Sequence, residues 1–214
     1  MAGLPNGWLT LAELGIIQVQ VDRQSMDKAK FLLETVENGV ETALRRAANK
    51  TADTGKSRVA RRVSEVTPLP INKVIRPRIY VGRAYFGSTT AVVFISRKPL
   101  MLVQFPYLAA PLVGVSVEIK RGKPIIFRHG FEATMKSGHT GLFERRYHSG
   151  GVPVSRLPIG QGPVSGKGAR SEMVGPSIGM TFDQNGGDQV TEDLSDIFAK
   201  NLIHEAEYLL SKAG

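Results

Sequence analysis

Glycine and proline crowd the stretch from Pro99 to Gly187, and an amphipathic helical pattern stands on either side of it. Both residues break regular structure into turns and short strands, so the middle of the chain is committed to β structure and loops. The flanks bury one helical stripe each. This order predicts an α+β fold: an antiparallel β-meander packed against a long N-terminal helix and a C-terminal helix, with extended arms and loops. With 214 residues, such a chain buries roughly 70% of its unfolded surface and needs no covalent staples.

The first helical stripe runs Met26, Ala29, Leu33, Val36, Val40, Ala43 and Ala47, at spacings of three and four. Ser25 stands where an N-cap would accept an unpaired backbone N–H. A second helical segment is expected from Thr51 to Val66, ended by Pro68 and Pro70. The final stripe, from about Thr191, is Leu194, Ile197, Phe198, Leu202, Ala206, Leu209 and Leu210, with Glu192 and Asp193 near the positive end of the helix dipole. Residues 1–24 read as an arm holding a short strand at Ile16 to Asp22, and 25–214 as a single domain.

Strands follow from alternation. Thr90 to Ser96 is a buried run. Val115, Val117 and Ile119 alternate with Ser116, Glu118 and Lys120. Ile125 to Met135 predicts one strand, with Ile125, Phe127, His129, Phe131, Ala133 and Met135 on one face and His129 as a core histidine. A turn at Lys136–His139 leads to a strand from Thr140, in which Gly138 supplies the positive φ that a hairpin needs. From there to Gly187 the chain reads as loop.

Chemistry finds little purchase. There is no cysteine, which excludes disulfides, thiolate metal sites and cysteine nucleophiles. Lys50 to Ser57 ends in Gly-Lys-Ser but has Lys50 where a phosphate-binding loop needs glycine, and Gly162 to Gly168 lacks the final Ser or Thr. His129, His139, His148 and His204 have no ligand spacing. Ser137 and His139 flank a turn glycine with no nucleophile elbow around them. The expectation is no enzyme, no cofactor and no metal. No apolar run is long enough to span a membrane, and no secretory leader is expected, since the first residues carry no basic region.

Charge is more informative. The formal net charge is +9, yet residues 183–214 hold seven acids and two bases. Cations concentrate at Arg45, Arg46, Lys50, Lys56, Arg58, Arg61 and Arg62, and again at Lys136, Arg145, Arg146 and Arg156. A basic body with an acidic tail suits nucleic acid, an acidic partner, or contact between copies of the same chain. The basic segment has few aromatics for stacking and no recognition motif. Non-specific DNA binding through phosphates is therefore the alternative reading.

One stretch resembles a known family. Phe131, Ala133 and Met135 precede Ser137, Gly138, His139, Gly141, Leu142, Phe143 and Arg145. Arg156, Leu157, Pro158 and Ile159 come next, and then Gly175, Pro176 and Ser177 ahead of a helix. This order is similar to the prophage minor tail protein Z family of long-tailed phages, over roughly residues 30–210. The resemblance implies a structural virion protein that completes the tail and joins it at the head-proximal neck. It also implies a homo-oligomeric ring (six copies by analogy), contacts with other tail and neck proteins, and proximity to genome DNA. The site of assembly would be the host cytoplasm and the destination the virion, with no membrane. Two features depart from the family: residues 1–24, and an inserted basic segment at 160–174 that reads as flexible. Deletion of 161–172 is expected to leave the fold intact.

Overall fold

A computed structural model describes residues 14–17, 23–34, 36, 38–110, 114–146 and 169–213. The chain is α+β and falls into two compact units interleaved along the sequence. The first comprises residues up to Val63, Ile71–Lys98 and Ile178 onward; the second comprises Ser64–Pro70 and Pro99–Ser177.

In the first unit, β1 (Leu14–Ile17), β2 (Ile79–Gly82) and β3 (Val92–Ser96) form an antiparallel sheet with β3 in the centre. Val93 and Ile95 of that central strand are buried. The helices are α1 (Arg23–Leu32), α2 (Gly39–Val66, of which residues up to Val63 belong to this unit), α3 (Ile178–Gln184) and α4 (Gly187–Ala213). Ala29 and Leu33 from the α1 segment, Ala43, Ala47 and Ala48 from α2, and Phe198, Leu202 and Ala206 from α4 form one buried cluster. Burying Phe198 and Leu202 contributes roughly 1.5–3 kcal/mol each.

The predicted first stripe is therefore real, but its helix is not continuous. The chain breaks between α1 and α2, where Asn38 adopts φ 54°. Asparagine tolerates this left-handed conformation better than most residues, and the Asn38 carbonyl accepts the first α2 bond from Thr42 N–H at 3.1 Å. Both arms of the broken stripe still face the same cluster. The expected boundary near residue 50 does not exist, and α2 runs unbroken through it to Val66. Ser25 is buried inside α1, not at its cap. Gly55 lets α2 approach its neighbours, since a Cβ there would lie 3.2 Å from Leu194 Cδ1 and 3.5 Å from Val93 Cγ2.

The second unit is built from strands. β4 (Leu100–Met101) pairs with β11 (Val174–Gly175). β5 (Tyr107–Ala110), β6 (Gly114–Lys120) and β7 (Lys123–Phe127) form one antiparallel sheet. β8 (Gly130–Thr134), β9 (Thr140–Arg146) and β10 (Ala169–Glu172) form another. Val115, Val117, Leu142, Phe143 and Met173 are buried in this unit.

Three strand expectations change here. Ile125 to Met135 is two strands, because the chain turns at Arg128–His129 and re-enters at Gly130. His129 is therefore an exposed turn residue, not a core histidine, and Ile125 is also exposed. The stretch read as loop to Gly187 contains β10, β11 and α3, and α4 begins at Gly187, four residues before Thr191. Deletion of 161–172 would remove β10, so that segment is not dispensable to the fold; residues 147–168 lie outside the described residues.

Candidate interaction surfaces

Most cations on the basic face of α2 are engaged within the chain. Glu205 of α4 is buried; it pairs with Lys50, and Arg46 Nη1 stands 3.7 Å from its other oxygen. The Arg46 guanidinium also lies 5.7 Å from the centre of the Tyr208 ring, a favourable cation–π distance. Arg58 pairs with Asp193, and the Arg62 Nε–H donates to the Asn185 carbonyl. Asn201 Nδ2 donates to Thr51 Oγ1 at 3.0 Å. The acidic helix and the basic helix thus neutralise each other along their shared side. Lys56 and Arg61 stand elsewhere on α2, half-buried and exposed respectively.

The Gly-Lys-Ser stretch is interior helix. Thr54 Oγ1 donates to the Lys50 carbonyl at 3.0 Å, and Ser57 Oγ to the Asp53 carbonyl at 3.2 Å. These back-bonds tie the hydroxyls to the helix itself.

The hairpin carrying the family-like motif is spent on folding. Gly138 has φ 84° and donates its N–H to the Met135 carbonyl at 2.9 Å; Met135 N–H reaches the His139 carbonyl at 2.7 Å. The Phe131 and Phe143 rings lie 6.2 Å apart across the strand pair. His139 Nε2 and Glu172 Oε1 are 2.9 Å apart, joining the tip to β10. At Gly141 a Cβ would stand 2.6 Å from that carboxylate, so glycine makes room for the bridge. At Gly175 a Cβ would come within 2.9 Å of Leu102 Cδ2. Pro176 and Ser177 follow directly and lead into α3, with Ser177 buried. Lys136 is exposed at the turn. Arg145 and Arg146 sit on β9 in register with Arg170 and Ala169. Arg156, Leu157 and Pro158 lie outside the described residues.

Elsewhere in the second unit, Tyr107 donates to the Glu132 carboxylate, which raises its phenol pKa above the ordinary value, with lesser contributions from burial and from the same negative charge. Among the described residues no group of three His, Asp or Glu is placed to hold a metal ion, and no helix is long and apolar enough to cross a membrane.

A surface that the sequence did not reveal lies between β2 and β3. Tyr85 and Ser88 exchange backbone hydrogen bonds of 3.1 and 2.9 Å, closing a turn through Gly87 at φ 87°. Three side chains of α2 hold it. Asn49 takes both backbone groups of Ala84, at 3.1 and 2.8 Å. Glu41 accepts from Gly87 N–H at 2.8 Å. Asp53 takes Arg83 through both oxygens at 3.0 Å. Arg45 lies one helical turn from both Glu41 and Asn49 and so shares this side of α2. The fixed turn presents Tyr85 and Phe86 outward, 60% and 70% exposed. The only sequence trace was an aromatic pair before a glycine, and nothing in its spacing linked it to residues 41, 49 and 53.

No protein-family model, curated protein or solved structure matches the chain.

Proposed function

We propose that the protein is a structural component of a long-tailed phage particle, an oligomeric part of the tail where it meets the neck. The observation that carries this reading is the Tyr85–Phe86 turn. Two large aromatics are fixed outward by three separate anchors. Rigid exposed aromatics lose little entropy on docking and are typical anchors of protein interfaces. The local charges are balanced, Asp53 against Arg83 and Glu41 beside Arg45, which favours a protein partner over a polyanion. The motif hairpin supports the same reading, because its small and aromatic positions serve strand pairing instead of a reaction. The resemblance to the tail protein Z family supplies the kind of assembly.

DNA binding is the weaker reading. Lys50, Arg46 and Arg58 are already committed to carboxylates of the same chain, and a polyanion would have to displace them. Mass spectrometry of gradient-purified virions and of isolated tails tests the proposal. The chain is expected in both in a fixed ratio to other tail proteins; its absence from both would overturn the structural reading.

A further inference from the structure

The β5–β6–β7 sheet buries only one of its faces. Val115 and Val117 are fully buried on the inner side. Leu108, Ser116 and Ile126 are direct cross-strand partners, so they share the opposite side. Leu108 is 71% and Ile126 59% exposed. Beside this apolar row the β6–β7 hairpin sets Lys120 directly opposite Lys123, both exposed. Like charges placed opposite each other oppose strand pairing, and among the described residues neither lysine has an acidic partner.

The α4 helix has the opposite character on its outward side. Asp193 and Glu205 are taken by α2. Asp188, Glu192 and Asp196 recur at spacings of four and are all exposed. Carboxylates one helical turn apart repel, and among the described residues none of these three has a basic partner. Met180 of α3, 50% exposed, adds an apolar side chain shortly before this stripe.

We infer that the outer face of the β5–β6–β7 sheet of one copy docks the acidic side of α4 of a second copy. The inference rests on the oligomeric reading above and names the surfaces it would use. Charge complementarity selects the occupant. A nucleic acid would meet Lys120 and Lys123 but leave the exposed leucine and isoleucine against phosphates. A second copy brings carboxylates to the lysines and relieves like-charge repulsion on both sides. The two surfaces are different, so the contact is head-to-tail, the kind that closes into a ring or propagates.

Sedimentation velocity on the purified chain tests this, using the double variants K120E/K123E and E192K/D196K and their combination in one chain. Each double variant is expected to weaken self-association at least tenfold with unchanged circular dichroism. The combined variant, with both signs reversed, is expected to recover it to within about threefold, and 1 M salt to weaken the wild-type contact by screening. L108S/I126S, which keeps all charges, is expected to weaken it as well. A wild-type chain that stays monomeric, or double variants that associate as wild type does, would overturn the inference. So would a combined variant that fails to recover. Virion mass spectrometry separates the two claims: double variants incorporated normally would remove this contact and leave the structural role standing, whereas absence of the wild-type chain from virions would remove that role.

Discussion

The bridge between α2 and α4 predicts an asymmetry. Glu205 has a side chain 4% exposed, whereas its partners Lys50 and Arg46 are 52% and 44% exposed. Removing one member of a buried ion pair costs about 3–5 kcal/mol when the survivor stays buried and unpaired. Lys50→Met leaves the Glu205 carboxylate in that position, with only Arg46 at 3.7 Å to compensate. The expected loss is about 3 kcal/mol, the lower end of that range. Glu205→Gln leaves two half-exposed cations that water can solvate. Discounting by their exposure, the loss should be about 1–2 kcal/mol. For a chain of this size these values correspond to falls in Tm of about 6–12 °C and 2–8 °C. Urea unfolding followed by circular dichroism at the helical band measures both. Equal losses, the reverse order, or two losses below about 0.5 kcal/mol (the range of ordinary surface substitutions) would refute the view that burial of this carboxylate sets the cost.

Three further outcomes are expected. Asn49→Ala strips both backbone partners from Ala84; it should cost about 1–3 kcal/mol and speed amide exchange across residues 84–88, and unchanged exchange there would contradict the anchoring. Gly55→Val forces branched carbons toward Leu194 and Val93 and should destabilise by about 1–3 kcal/mol, while Gly55→Ala should come out near neutral because better helix propensity offsets the tight Cβ; a stabilising Val would refute the packing role. Tyr107 should ionise above the ordinary phenol value of 10.0 in an alkaline absorbance titration. Because its folded pKa is raised, its bond to Glu132 contributes fully below the ordinary value of 10.0 and is lost as pH rises through the folded pKa; Tyr107→Phe should abolish the late step.

Periodicity made α1, α2 and α4 legible, though not the short α3, because a buried stripe at spacings of three and four survives even where the backbone breaks. The break itself was not legible. Asn38-Gly39 interrupts no apolar spacing, yet Asn38 takes a left-handed φ between α1 and α2. Alternation similarly ran through Arg128–His129, where apolar residues on both sides concealed a turn between two sheets. β10 and β11 escaped notice because each is short and pairs with a distant strand, β9 and β4. Among the surface candidates, counting charges located the basic stretch of α2 but could not show that Glu205 and Asp193, more than 130 positions away, cover it. The Tyr85–Phe86 turn depends on anchors at residues 41, 49 and 53, a tertiary relation without a local signature.

The most direct test of the account is electron microscopy of phage particles made with and without this chain, with infectivity measured on the same preparations. Loss of the chain is predicted to leave filled heads and tails that do not join, or joined particles that do not infect, with restoration when it is supplied in trans. Particles of normal appearance and full infectivity in its absence would contradict a structural role in the tail.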